Sequence, residues 1–317
     1  MPDNILEARE LRKQYENVEA VRGINFDIQS GEIFSLLGPN GAGKTTTISM
    51  LSCLVEPTKG DATISGHSIL KESNAVKKEI GVVPQEIALY PTLTARENLA
   101  FWGKMYGLGG SVLKERISEV LEVAGLAKRA DQKVETYSGG MKRRINIAVG
   151  LLHQPKLLYM DEPTVGIDPQ SRRRILDTVM ELNKSGLTVL YTTHYMEEAE
   201  ELSDRIGIID NGEIIAIGSQ QELTRSMGEF ETINIRLAED NLDGSKLTAA
   251  LNKIKGVDSS SYTDSQLNVQ AQDSDAAIGK VIDVINKHKG RILEIKIAEP
   301  NLEAVFLHLT GRALRDD

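Results

Sequence analysis

Short apolar runs alternate with longer stretches of helical spacing in the N-terminal part of the chain. Residues 33–37 form a short, mainly apolar run between two glycines, whereas the apolar residues of 44–54 recur at helical spacing. This pattern predicts a strand, a glycine-rich loop and a helix. Further strands are predicted at 156–160 and 188–191. Because buried strands of an α/β sheet deliver their last side chains to the carboxyl edge, we expect the residues that follow these strands to meet there.

Helical spacing dominates from Thr94 to about Gly140. Thr94 and Glu97 fit a capping box, which predicts the start of a helix, and another helix is predicted over 112–123. We therefore expect a helical subdomain over about 88–145.

The pattern changes after Ser219. Strand-like and helix-like segments alternate in the order β-α-β-β-α-β, which predicts a small α+β module of the ferredoxin-like type. We therefore predict two domains, over 1–219 and 220–317, the second accessory or regulatory. The predicted segments of the second domain are 231–237, 246–254, 257–262, 266–271, 276–287 and 291–297, with a short helix over 301–309.

Length and composition narrow the possible functions. A chain of 317 residues exceeds one average domain, which agrees with two. The formal net charge of -9 gives no basic footprint, so we expect no nucleic acid partner. Cys53 is the only cysteine, which rules out an intrachain disulfide and suits a reducing compartment. There is no signal-peptide pattern and no apolar stretch of about 18 residues, so we expect that the chain does not cross a membrane on its own.

The octapeptide GPNGAGKT fits the pattern G-x-x-x-x-G-K-[ST] at every fixed position. Its glycines let backbone N–H groups converge on an anion, and the helix start beyond them adds partial positive charge. Lys44 can reach the β- and γ-phosphates, Thr45 can ligate Mg²⁺ and Thr46 can add a phosphate contact. The alternative, a glycine-rich turn before a lysine, is disfavoured by the number of matching positions. The predicted nucleotide-binding residues of this loop are Gly38, Pro39, Asn40, Gly41, Ala42, Gly43, Lys44, Thr45 and Thr46.

Two adjacent carboxylates follow the predicted strand at 156–160. Asp161 is placed to hold the Mg²⁺ shell. Glu162 can act as a general base on the attacking water, a role typically worth about 10²–10⁴ in rate. Taken alone, an apolar strand followed by acids is usually core and loop. Downstream of a phosphate-binding loop, the catalytic interpretation is favoured.

A second candidate phosphate site is the segment Ser138-Gly139-Gly140. Ser138 is predicted to cap a helix whose first turn is rich in glycine, which leaves N–H groups and a hydroxyl for an anion. By itself the segment favours an ordinary N-cap. The surrounding motifs favour the phosphate site.

Together these motifs resemble the ATP-binding cassette (ABC) ATPase family, a class of P-loop NTPases, over about Ile5 to Ser219. GPNGAGKTT is similar to its Walker A motif, YSGGM to its LSGGQ signature and 157–162 to its Walker B motif. The signature departs from the family at Tyr137 and Met141, which concerns kinetics and partner contacts more than nucleotide binding. Single residues that match are Gln85 of the Q-loop, Asp168 of the D-loop, the switch histidine His194, and Tyr15, where the family has an aromatic residue.

The resemblance implies a role for each of these residues. Gln85 would contact Mg²⁺ or the water and link the site mechanically to a transporter, and His194 would contact the γ-phosphate. Tyr15 would stack on adenine, with packing within a strand as the alternative. Asp168 would belong to the nucleotide site with the Ser138 segment. The implied Mg²⁺ ligands are Thr45, Gln85 and Asp161.

The resemblance also implies partners. One cassette per chain implies a head-to-tail homodimer, in which the Ser138 segment of one copy closes over ATP held by the other. An integral-membrane permease would hold the cytoplasmic chain at the cytoplasmic face of the membrane. The end of the chain near 298–306 resembles ATPase subunits of exporters, so we expect an ABC exporter ATPase. Aromatic residues that would line the permease groove, or form subdomain core, are Tyr90, Phe101, Trp102 and Tyr106.

Two other functions stay open at this point. One is an ABC ATPase that acts on nucleic acid or ribosomes, although such proteins usually carry tandem cassettes or long coiled-coil insertions. The other is a P-loop transferase or regulatory switch without a permease, which the joint presence of YSGGM and His194 disfavours.

Overall fold

The computed structural model describes residues 4–225, 231–238, 242–263, 265–298 and 301–310. These residues form two compact units, one extending to Ser219 and one beginning at Gln220. Within the described ranges, no helix combines the length and the apolar character that spanning a membrane requires.

The first unit contains two β-sheets. Strands β2, β1, β4 and β5 form an antiparallel sheet in that order. The second sheet has the order β10-β9-β3-β8-β7-β6, in which all neighbours except β10 and β9 run parallel. The strands are β1 (Asn4–Tyr15), β2 (Val18–Gln29), β3 (Ile33–Leu37), β4 (Lys59–Ile64), β5 (His67–Ser68), β6 (Ile80–Val83), β7 (Leu157–Asp161), β8 (Thr188–Thr193), β9 (Arg205–Asp210) and β10 (Glu213–Gly218).

Hydrophobic cores cover both faces of the parallel sheet. Every residue of β3, β7 and β8 is buried, as expected for parallel strands covered on both sides. In β7, Leu157 and Tyr159 pack into one core with the antiparallel sheet, and Leu158 and Met160 pack into the other with the helices. This alternation holds β7 firmly, so the residue that follows it has a defined position.

Seven α-helices accompany these sheets among the described residues of the first unit. The capping box predicted for Thr94 and Glu97 is confirmed at the start of α3. Helices α3, α4 and α5 contact one another and share a core, which forms the helical subdomain. The helices are α1 (Lys44–Leu51), α2 (Ser73–Glu79), α3 (Ala95–Met105), α4 (Gly110–Val123), α5 (Gly139–Leu151), α6 (Pro169–Lys184) and α7 (Met196–Leu202).

The second unit has the element order β-α-β-β-α-β that the sequence predicts. Its antiparallel sheet has the order β12-β13-β11-β14, and α9 and α10 pack on one face of it. This is the ferredoxin-like arrangement. Two further helices, α8 and α11, contact each other. The elements are α8 (Gln220–Arg225), β11 (Glu231–Leu237), α9 (Gly244–Leu251), β12 (Val257–Thr263), β13 (Gln266–Ala271), α10 (Ser274–Lys287), β14 (Ile292–Ala298) and α11 (Leu302–Thr310).

Candidate active site

Three neighbouring strands of the parallel sheet end at the same edge. In the strand registers, Leu37 of β3 lies opposite Thr193 of β8, and Asp161 of β7 lies opposite Thr192. The residues that follow these strand ends are Gly38, Glu162 and His194. The fold therefore brings the three predicted motifs together, as expected for the carboxyl edge of an α/β sheet.

The loop from Gly38 to Thr45, hereafter the phosphate-binding loop, depends on glycine at particular positions. Gly43 caps α1 in the left-handed conformation, with φ of 107°. A Cβ atom at Gly43 would lie 2.6 Å from the Ala20 carbonyl oxygen, so a side chain does not fit there. The loop therefore directs the N-terminus of α1 into the site, where free N–H groups and the helix dipole favour an anion.

The Lys44 side chain is buried at the centre of this site, with 4% of its surface exposed. Its Nζ donates to the carbonyl oxygens of Gly38 and Pro39, at 2.6 and 2.9 Å. It also lies 2.9 Å from Oε1 of Glu162, whose side chain is 6% exposed. The ammonium group compensates the buried carboxylate, which would otherwise be costly to desolvate.

Glu162 leaves the end of β7 with φ of 44°, an uncommon value for a residue with a side chain. Its backbone N–H donates to the Thr192 hydroxyl at 3.0 Å, which holds the turn. Nε2 of Gln85 donates to Oε2 of Glu162 at 3.4 Å, and Nδ1 of His194 lies 3.4 Å from Oε1. The three residues predicted to be catalytic are therefore in contact.

Asp161 lies beside Glu162 but has different partners. The Thr192 hydroxyl donates to its Oδ1 at 2.7 Å. Burial raises the pKa of Asp161, while the hydrogen bonds from Thr192 and Thr45 oppose that shift. Asp161 and Thr45, two of the predicted metal ligands, are therefore neighbours in the site.

A cavity of about 370 Å³ opens beside Lys44, Glu162 and His194. Pro39 and Ala42 shape the loop rather than the wall: the Ala42 N–H donates to the Pro39 carbonyl oxygen at 3.2 Å. Ala20 and Val165 also line the cavity but were not predicted from the sequence. Neither residue belongs to a recognised motif, and an apolar side chain alone does not indicate that it lines a binding site. The described lining residues are Ala20, Asn40, Gly41, Gly43, Lys44, Thr45, Thr46, Gln85, Glu162, Val165 and His194.

The remaining predicted residues are not among those that line this cavity. Ser138 caps α5, accepting from the Met141 N–H at 3.3 Å, as the sequence predicted. Asp168 caps α6 by accepting from the Ser171 N–H at 3.0 Å, and this hydrogen bond lowers the pKa of the exposed Asp168 carboxyl. Within one chain, these residues and the phosphate-binding loop form separate groups.

Gly139 and Gly140 form the first turn of α5 and differ in their surroundings. A Cβ atom at Gly139 would have ordinary contact with Ile167, at 3.7 Å. A Cβ atom at Gly140 would overlap the Ser171 side chain. Gly140 therefore allows the starts of α5 and α6 to approach closely.

Tyr15 ends β1 and is 44% exposed. The Lys13 ammonium lies 5.1 Å from the centroid of its ring. The hairpin partner of β1 is β2, which contributes Ala20 to the cavity wall.

Comparison with known proteins identifies the family of this chain. The family model for the ABC transporter matches residues 21–165. The chain is 50% identical over 314 residues to the linearmycin resistance ATP-binding protein LnrL of Bacillus subtilis, covering 98% of this chain and 100% of that protein. It is 39% identical over 313 residues to the Nod factor export ATP-binding protein I of Ralstonia nicotianae, covering 98% of this chain and 95% of that protein. A solved dimeric ATP-binding cassette in a post-hydrolysis state with ADP and phosphate superposes with a TM-score of 0.61 at 28% identity. The superposition covers 68% of this chain and 98% of that chain.

The chain therefore belongs to the ABC transporter family. It binds ATP and is an ATPase. The predicted ABC exporter ATPase is confirmed by relatives named for linearmycin resistance and for Nod factor export. The two alternative functions are not favoured by these relatives. Members of this family work with membrane permeases and dimerise.

Proposed function

We propose that two copies of this chain bind ATP between them in a head-to-tail dimer. At the cytoplasmic face of the membrane, this dimer would energise export through a separate integral-membrane permease. The observation that carries the proposal is the division of the predicted site. Lys44, Thr45 and Glu162 line one cavity, whereas Ser138 and Gly139 are not among its lining residues. A second copy that presents its Ser138 segment to this cavity would complete the enclosure of ATP.

The residues around the cavity support a division of roles. The N–H groups of the phosphate-binding loop and the Lys44 ammonium would bind the β- and γ-phosphates. Glu162 would take the proton of the attacking water, and His194 would contact the γ-phosphate. Gln85 would orient the water, since its amide lies against the Glu162 carboxylate at 3.4 Å. Hydrolysis would remove the γ-phosphate contacts and let the copies separate.

The donor set fits Mg²⁺. Asp161, Thr45 and Gln85 offer oxygen atoms, the ligands that Mg²⁺ takes together with substrate phosphates. Among the residues that the structure describes, no group of three or more His, Cys, Asp or Glu side chains could hold a metal ion. When bound, Mg²⁺ would neutralise charge on the phosphates.

Tyr15 and Asp168 have proposed roles at the edges of the site. One face of the half-exposed Tyr15 ring is near Lys13, and the ring would stack on adenine. Asp168 would lie at the contact with the second copy. Gly140 packs against Ser171 at the start of α6, so the Ser138 segment and the Asp168 turn would move together.

An aromatic cluster on the helical subdomain supports contact with a permease. Tyr90 and Phe101 are 44% and 37% exposed, and their rings meet edge to face at 4.9 Å. Trp102 packs beside Phe101, and its Nε1 donates to the Ala88 carbonyl oxygen at 3.2 Å. Exposed aromatic clusters of this kind are favoured at protein interfaces.

The partner is tested by affinity purification of the full chain from detergent-solubilised membranes. We expect a protein with several transmembrane segments to copurify, and we expect the mutation of both Tyr90 and Phe101 to alanine to reduce its recovery at least about tenfold, because aromatic anchors dominate many interfaces. The double substitution of the exposed Lys77 and Lys78 to alanine is the control. Recovery of ribosomes or DNA in place of a membrane protein would contradict the proposal, as would recovery of neither.

We also propose that residues 220–317 form an accessory module that tunes assembly or turnover. All residues with a proposed role in ATP chemistry precede Ser219, and the second unit has its own hydrophobic core. A chain ending after Ser219 is expected to bind ATP within about threefold of the full chain but to change in dimerisation, turnover or export. Nucleotide affinity and export in cells, at matched expression, measure the difference. Lost ATP binding in a folded truncation would contradict the domain boundary, and unchanged assembly, turnover and export would contradict the regulatory role.

A further inference from the structure

A buried carboxylate outside the ATP cavity joins two loops of the site. Glu198, on α7, is 2% exposed and is not among the residues that line the cavity. A buried carboxylate is costly unless hydrogen bonds or a cation compensate it. The partners of Glu198 therefore indicate what it stabilises.

Three buried hydroxyl groups donate to Glu198. Thr164 Oγ1 donates to its Oε1 at 2.6 Å. The Tyr191 hydroxyl and Thr193 Oγ1 each donate to its Oε2 at 2.9 Å. Nε of Arg172 lies 3.6 Å from Oε1 and adds an opposite charge. Both carboxylate oxygens are thus engaged from several elements.

Two of these donors lie next to catalytic candidates. Thr164 is two residues after Glu162, and Thr193 directly precedes His194. The Thr193 hydroxyl also accepts from the Tyr195 N–H at 2.9 Å, which fixes the turn around His194. One carboxylate therefore holds the loops that carry both Glu162 and His194.

The other two partners of Glu198, Tyr191 and Arg172, add to this attachment. Burial, and then the charge of Glu198, raise the pKa of Tyr191 well above its usual value, so its phenol remains a donor at neutral pH. The Arg172 guanidinium lies over the Tyr195 ring, 4.3 Å from its centroid. Helix α6 is thereby linked to the same turn.

We propose that Glu198 is a positioning residue for ATP hydrolysis, which holds residues 162–165 and 193–195 so that Glu162 and His194 face the same point of the cavity. This inference rests on the roles proposed above for Glu162 and His194. A displacement of about 1 Å in such a group can cost about 100-fold in rate. Binding of ATP depends chiefly on the phosphate-binding loop, so it should be much less sensitive.

The test removes one hydroxyl at a time in the full chain. Thr164→Val and Thr193→Val keep the shape of the side chain, and each is expected to lower kcat about 10- to 100-fold. The Kd for a fluorescent ATP analogue with Mg²⁺ should stay within about threefold, because the lost alignment acts in the transition state. Thr164→Ser and Thr193→Ser restore the hydroxyl and should recover most of the turnover.

Substitution of the carboxylate completes the test. Glu198→Ala should lower kcat at least as much, and in that background Thr164→Val should have little further effect, since both act through one group. Glu197→Ala, on the exposed side of α7, removes the same side chain and charge as Glu198→Ala and should leave turnover unchanged. If Glu198→Ala does not fold, the threonine variants decide the outcome.

Normal kcat in the folded threonine-to-valine variants would overturn the positioning role. A parallel loss of nucleotide affinity and thermal stability would equally overturn it, since that result indicates only a structural role. Glu162→Gln and His194→Ala are measured beside them. Loss of turnover in the Glu198 set with normal turnover in both of those variants would instead overturn the roles proposed for Glu162 and His194.

Discussion

Glu162→Gln is expected to reduce ATP hydrolysis by at least about 100-fold while ATP still binds. The amide keeps the shape of the side chain, and its oxygen can still accept from the Lys44 ammonium, now 2.9 Å from Oε1. It is a poor proton acceptor, however, and a general base typically contributes about 10²–10⁴ in rate. Asp161 and Thr45 are unchanged, so the proposed Mg²⁺ ligands remain.

Slow hydrolysis would leave an ATP-bound dimer with a long lifetime. Size-exclusion chromatography should show this dimer with ATP and a monomer with ADP. Glu181→Gln, an exposed carboxylate on α6, is the matched control and should behave as the unmodified chain. Unchanged hydrolysis in Glu162→Gln would assign the base elsewhere, with His194 as the next candidate.

Lys44→Ala is expected to abolish productive binding of MgATP. Each charge-assisted hydrogen bond to a phosphate contributes about 1.5–3 kcal/mol, so even one lost bond weakens affinity at least about tenfold. The substitution also leaves Glu162 buried without its cation, which adds like charge to a site that binds an anion. Equilibrium binding of a fluorescent ATP analogue and steady-state phosphate release measure both effects.

A second lysine provides the control for that experiment. Lys78 is exposed in the last turn of α2, and Lys78→Ala should leave affinity and turnover unchanged. Thermal unfolding establishes that Lys44→Ala is folded. Turnover like that of the unmodified chain would contradict the assignment of the phosphate site.

The parts of the fold predicted best from sequence are those with a clear hydrophobic periodicity and a residue pattern that marks where the element begins or ends. Strand β11 has the predicted bounds of 231–237, and Thr94 begins α3 through its capping box. Helix α1 ends at Leu51, before the predicted 54, because the chain turns at Cys53 with φ of 55°. The spacing of apolar residues does not indicate such a turn. The end of a helix is therefore difficult to predict where no glycine or proline follows it.

The residues of the site also differ in how well the sequence predicts them. The phosphate-binding loop, Asp161 and Glu162 have fixed spacing in sequence, so their chemistry could be predicted before their geometry was known. Glu198 could not, because α7 carries several glutamates and is only seven residues long. Which of them turns inward depends on hydroxyl groups from distant elements, such as Thr164, 34 residues away.

The close approach at Gly140 has a consequence for genetics. A variant with a side chain at this glycine would be expected to fail at transport, and the failure could be ascribed to lost recognition of ATP by the neighbouring copy. The same side chain would collide with Ser171 inside its own subunit. A loss-of-function allele at Gly140 can therefore arise from either of two causes, the collision within the subunit or the lost recognition of ATP. At Gly139 a Cβ atom has ordinary contacts, so an allele there tests the recognition of ATP without the collision.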